Sequence, residues 1–81
     1  MAALLDVPEG GRAVILEVAG AGWGLRRRLL EMGFTPGTEV EVVRNSGGHV
    51  VVRLRGSLLT VGRGVARRIV VEVVGGEGHQ P

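Results

Sequence analysis

The chain has 81 residues, is 44% hydrophobic, contains neither Cys nor Lys, and carries a net charge of only +2. That length suits one domain, and the missing residues exclude disulfides, thiolate metal sites, a P-loop lysine and a lysine nucleophile. No apolar run reaches the ~18 residues of a membrane span, and a chain this short buries only about 60% of its unfolded surface, close to the lower limit for an unstapled core.

The opening "MAALLDVPEGG" lacks a basic leader region, so no secretory signal is expected and a cytoplasmic location is. "RAVILEVAG" (12–20) reads as a strand with Val14, Leu16 and Val18 on one face and Ile15 as a partly covered exception. "GAGWG" (20–24) breaks it. From Leu25 the period changes: Leu25, Leu29 and Met32 recur at spacings of four and three, which predicts a helix with these three in the core. Arg26 and Arg27 then point to solvent, and Arg28 lies on a flank where its stem covers apolar surface. Gly33 ends the helix as a glycine just past the last turn does, and Pro36-Gly37 supplies a turn.

"TEVEVVR" (38–44) alternates, with Val40 and Val42 inward. "HVVVRLR" (49–55) alternates again, with Val50, Val52 and Leu54 inward and Arg53 and Arg55 outward. "NSGG" (45–48) between them is a hairpin loop, and Gly56-Ser57 is read as a two-residue turn into "LLTV" (58–61). A helical turn over "GRGVAR" (62–67) would bury Val65 and Ala66. "IVVEVV" (69–74) closes the domain, with Ile69, Val71 and Val73 inward. The expected organisation is one domain over residues 1–74 and a mobile tail over 75–81. The fold class is mainly β: about five short strands, one helix after the first and a helical turn before the last, in a small closed or half-open barrel.

Charge is unevenly placed. Residues 1–41 carry four Arg against six acids, residues 42–81 carry six Arg against two, and no acid lies between Val42 and Val71. A basic side of this kind attracts an acidic protein surface, a phosphate or nucleic acid.

Each candidate motif has a competing structural reading. Gly20, Gly22 and Gly24 sit between a strand and a helix, as in a dinucleotide loop, but Leu25 occupies the place of the third glycine and the later strands are joined by hairpins. A flexible elbow fits better. Trp23 on that elbow is either an exposed binding residue or a lid folded over the barrel. His49 and His79 lack the spacing of paired ligands, so no metal site and no cofactor are expected. Without a Cys or Lys nucleophile or a serine elbow, and with Asp6 as the only Asp, the chain does not read as an enzyme. Sequence-tolerant nucleic-acid binding couples a basic groove with stacking aromatics, and neither aromatic here is interleaved with the strand arginines. A protein-binding module is the stronger reading.

The stretch "RRLLEMGFTPGTEVEVV" resembles the FeoA family, small cytosolic partners of the bacterial ferrous-iron transporter FeoB. The family pattern is matched by Arg28-Leu29, Glu31-Met32-Gly33 and Pro36-Gly37 followed by a strand, and later by Ala66, Ile69 and Val71. The resemblance runs from residue 4 to residue 74. It implies an SH3-like barrel, a non-enzymatic role in Fe²⁺ transport and the cytosolic region of FeoB as partner, with self-association left open. The expected contact set is Trp23, Arg26, Arg27, Arg53 and Arg55. The resemblance extends to the C-terminal domain of iron- and manganese-dependent repressors. The rival is therefore a nucleic-acid-binding or repressor-like barrel that uses Arg53, Arg55, Arg63, Arg67 and Arg68.

Overall fold

The structure is a computed structural model that describes residues 1–76. Six strands form one antiparallel sheet: β1 (Ala2–Ala3), β2 (Gly11–Val18), β3 (Glu39–Ser46), β4 (His49–Leu54), β5 (Ser57–Gly62) and β6 (Ile69–Gly76). Their order is β1-β6-β2-β3-β4-β5. Helix α1 (Trp23–Met32) lies between β2 and β3, and a short α2 (Arg63–Ala66) lies between β5 and β6. The sheet curls round one core to which every long strand, both helices and the N-terminal segment contribute buried side chains.

Alternation builds most of the wall. Val40 and Val42 of β3 and Val50, Val52 and Leu54 of β4 are buried, as their period of two predicts. Ile69 and Val71 of β6 and Ala66 of α2 are fully buried as well. Val73 departs from the expected pattern and is 49% exposed. β6 is flanked by β1 only at Val70 and Val71, so it reaches Val73 with one neighbour fewer. Gly75 and Gly76 of the expected tail belong to β6. The rest of that tail lies outside the described residues.

The inward face of β2 also differs from expectation. Ala13 and Ile15 are fully buried, whereas Val14 and Leu16 are only half-covered. Val18 is buried nonetheless, three residues after Ile15. The pairing of β2 with β6 slips between Ile15 and Glu17, and this bulge moves the inward face from odd to even positions. A strict alternation drawn back from Val18 therefore gives the wrong phase for the first half of the strand.

The N-terminal segment adds elements that the sequence pattern did not announce. β1 pairs with β6, and a 3-10 helix over Leu4–Asp6 drives Leu4 into the core, followed by Val7. Asn45 holds it in place. Its Nδ2 donates to the carbonyls of Leu5 (2.7 Å) and Val7 (2.8 Å), and its backbone N–H donates to the Glu9 carboxylate (2.8 Å). Asn45 lies just past an irregularity in the β3–β4 ladder between Val42 and Arg44.

The turns carry the remaining shape. Gly33 has φ 110° at the end of α1, and its N–H meets the last-turn carbonyls, as a helix-terminating glycine should. Gly37 (φ 91°) follows Pro36, and the Thr38 N–H bonds the Thr35 carbonyl at 3.1 Å. That is the expected turn with Pro and Gly at its centre. The β4–β5 turn falls one residue earlier than expected. Arg55 (φ 53°) and Gly56 (φ 84°) are its central pair, and Ser57 already belongs to β5. Two successive positive φ values define the two-residue hairpin turn whose twist matches the strands, and here an arginine occupies its first position.

Candidate partner-docking site

Helix α1 is short and one-sided. Its N-terminal flank is Gly22, which offers no capping side chain. Leu29 is buried and Leu25 half-buried, 100° per residue placing both on one stripe. Met32 was expected to complete that stripe and is instead 41% exposed. The helix ends at Met32, and the left-handed Gly33 turns the chain inward so that Phe34, fully buried, takes the core space. The buried part of the motif is thus Leu29 followed by Phe34, with Met32 at the rim.

The opposite face is open. Trp23 is 73% exposed and Leu30 37% exposed, seven residues apart and so on nearly the same side of the helix. Trp23 is therefore not a lid over the barrel. Leu30 borders a groove of about 250 Å³ lined by Glu17, Val18, Arg26, Leu30, Phe34 and Pro36. Strand β2 forms one wall, α1 the second, and the Phe34–Pro36 loop the end. The lining is mostly apolar, with one acid and one base.

Arg26 shapes this groove. Its Nη2 donates to the Val18 carbonyl at 3.0 Å, tying the helix to the last residue of β2. Arg27 points outward and pairs with Glu31 at 3.3 Å across one helical turn. Arg28 is exposed. Arg55 reaches the loop from below: its Nη2 lies 3.5 Å from the Thr35 hydroxyl and 3.3 Å from that of Thr38, on either side of Pro36. Arg53 belongs to another part of the surface, where it pairs with Glu41 at 2.9 Å beside the Arg12–Glu39 pair (3.3 Å). Of the expected contact residues, Trp23, Arg26 and Arg27 share α1, Arg55 touches the groove's closing loop, and Arg53 is elsewhere on the barrel wall.

Leu30, Phe34, Val18 and Glu17 were not anticipated as site residues, and Pro36 only as part of the turn motif. The available signal was that Leu30 falls off the Leu25–Leu29 stripe and so needs another neighbour. Its groove partners come from β2 and from the turn, which no local pattern connects.

Arg63, Arg67 and Arg68 lie at α2 and its exit. Arg63 donates to the Gly47 carbonyl at 3.3 Å and Arg68 to that of Gly20, so both tie loops together. His49 opens β4 and is exposed, and His79 lies outside the described residues. Among the described residues, no three His, Cys, Asp or Glu side chains form a group able to hold a metal ion. No helix among them is long and apolar enough to cross a membrane.

These features define a small antiparallel barrel of the SH3 type with an inserted helix and an apolar groove beside it. Residues 2–73 match the FeoA domain, and the chain belongs to the FeoA family. It is 39% identical over 78 residues to a Methanocaldococcus jannaschii protein named "Putative Fe(2+) transport protein A", covering 94% of this chain and 95% of that one. The Stenotrophomonas maltophilia FeoA, solved in complex with zinc and described as a procaryotic SH3 domain protein, superposes with a TM-score of 0.79 at 28% identity, covering 89% of this chain and 91% of that chain. A manganese-dependent transcriptional repressor superposes at 0.83 but with 16% identity, over 90% of this chain and 41% of that one. That likeness establishes a shared fold and nothing of the repressor's activity.

Proposed function

We propose that this protein is a non-enzymatic accessory protein of ferrous-iron transport that acts in the cytoplasm by binding the cytosolic part of the transporter FeoB. Membership of the FeoA family supports the transport role. The observation that carries the docking mode is the groove between β2 and α1, with Leu30 on its rim and Trp23 exposed on the same helix. The barrel uses α1 chiefly at Leu29, so the helix has an apolar surface that the fold itself does not need. Trp and arginine beside an apolar cleft are the residue types that dominate protein–protein binding energy. A partner side chain seated over Leu30 and Pro36 would be anchored by Trp23 and Arg27 on the helix and by Arg55 at the loop.

The test is binding to the purified cytosolic region of the transporter, by pull-down and calorimetry, for the wild type, Trp23→Ala and Leu30→Asp. Both substitutions touch exposed positions, so the fold should survive with stability changes near ±0.5 kcal/mol, the usual range for surface sites. A binding hot spot costs at least about 2 kcal/mol when truncated, about thirtyfold in Kd. Unchanged affinity in both variants would remove the groove face from the contact. Arg26 is a poor choice for charge reversal, because its bond to the Val18 carbonyl makes it part of the helix attachment.

A further inference from the structure

Charge at the helix groove is not compensated as it is elsewhere on the barrel. On the β2–β3–β4 face arginines meet carboxylates: Arg12 pairs with Glu39 at 3.3 Å and Arg53 with Glu41 at 2.9 Å. At the groove two arginines meet neutral carbonyls instead. Arg26 lines the groove and donates to the Val18 carbonyl at 3.0 Å. Arg68 donates to the carbonyl of Gly20, two residues beyond Val18 in the elbow. The sheet register brings Arg68 there: Ile69 pairs with Val18, and the Ala19 N–H donates to the Arg68 carbonyl at 2.7 Å.

Two residues of chain span at most about 7 Å. An anion at the elbow end of the groove is therefore within the screening length of about 8–10 Å of both guanidinium groups. Each guanidinium has five N–H donors and keeps its full charge when one of them bonds a carbonyl. That bond fixes the fork and leaves other donors open, and both residues are exposed. Among the described residues neither arginine forms an ion pair, whereas Arg27 on the same helix is paired with Glu31. Glu17 also lines the groove and pairs with neither. Neighbouring cations without a counter-ion favour a negative group between them.

We propose that Arg26 and Arg68 form a carboxylate subsite at the elbow end of the groove, so that the groove takes an acidic protein segment with a bulky apolar residue beside the acid. This rests on the docking reading above and adds the chemistry of the partner. The apolar side chain would cover Leu30 and Pro36, and the carboxylate would accept from the outward N–H groups of the two arginines. At about 250 Å³ the groove is smaller than the ~300–1,000 Å³ of small-molecule sites, and suits one side chain of a larger partner. A nucleic-acid phosphate would meet the arginines but leave the apolar lining bare. Glu17 makes the groove selective, because it repels a carboxylate placed anywhere but at the arginine end.

The probe is an acetylated and amidated peptide, Ser-Asp-Glu-Leu-Phe-Glu-Asp-Ser, compared with a counterpart carrying Lys at the four acidic positions. Each is titrated into the isotope-labelled full chain. The acidic peptide should give saturable shifts of the Val18 and Leu30 amides and bind at least about tenfold more tightly than the Lys peptide. Raising the salt to about 0.5 M should weaken it about fivefold or more. Arg68→Gln should weaken it about two- to fivefold, the range for one exposed charge pair, and Arg68→Lys less. Glu17→Gln should tighten it about twofold. The peptide comparison and the salt series use the unaltered chain, so they decide the matter even if Arg68→Gln fails to fold. Equal binding of the two peptides, no saturable shift from the acidic one, indifference to salt, or weaker binding by Glu17→Gln would each overturn the proposal. So would shifts at the same amides from an oligothymidylate and none from the peptide, because the arginines would then serve phosphate. Calorimetry with the transporter's cytosolic region separates the two readings. Binding that ignores both salt and Arg68→Gln removes the subsite and leaves the docking reading. Binding of the acidic peptide without binding of the transporter region does the reverse.

Discussion

Strand β4 and helix α1 use their residues differently. Of six residues, β4 buries Val50, Val52 and Leu54. Of ten, α1 buries only Leu29. Strand β4 is paired on both sides and is part of the wall that encloses the core. The helix is held by Leu29, the half-buried Leu25 and the Arg26 bond to the Val18 carbonyl. The barrel depends on β4 for its stability, while α1 leaves most of its surface available. The contrast also explains why an apolar residue on α1 is a weak predictor of burial whereas one on an alternating strand is a strong one.

The largest expected effect tests where the helix motif enters the core. Phe34→Ala should destabilise by about 3–5 kcal/mol, the usual cost of truncating a buried aromatic. In so small a domain that is a large share of the total stability, and thermal melting should show a pronounced drop. A shift like that of a surface variant would mean that the Leu29–Phe34 anchor has been misplaced.

Asn45→Ala comes next. It leaves the Leu5 and Val7 carbonyls without their side-chain donor and should cost about 1–3 kcal/mol. Hydrogen exchange should rise first in the N-terminal segment, with the β3–β4 hairpin changed less. Uniform loss across the sheet would show that β1 and the 3-10 helix do not open separately from the barrel.

The smallest effect is expected at Met32. With 41% of its surface exposed, Met32→Ala should change stability by no more than about 0.5–1 kcal/mol, well below a core truncation. A loss comparable to Phe34→Ala would place Met32 in the core after all and narrow the contrast between α1 and β4.

Much of the wall was legible because alternation is local: Val40, Val42, Val50, Val52 and Leu54 each declare their side through the residue next to them. The same holds for Gly33 and Pro36-Gly37, whose backbone demands are set by residue type. Val14 and Leu16 misled because a bulge reversed the strand's phase, and bulges are decided by the partner strand β6. Arg55 misled because an arginine rarely takes a positive φ, yet the Leu54–Ser57 register requires it there. The groove beside α1 was only half visible. Trp23 and Arg26 were picked out by residue type, while Val18, Leu30 and Phe34 meet only after β2, α1 and the turn have packed together.

What the sequence determined by itself is therefore the run of elements from β2 to β6, the family and the absence of thiol and lysine chemistry, since these rest on composition and on patterns spanning a few residues. Only the tertiary structure decided which faces are free. Leu30 and Met32 are as apolar as Leu29, and Leu58 as apolar as Leu59. What separates them is whether another segment, distant in the chain, lies over them, and burial is a property of that long-range packing rather than of the side chain alone.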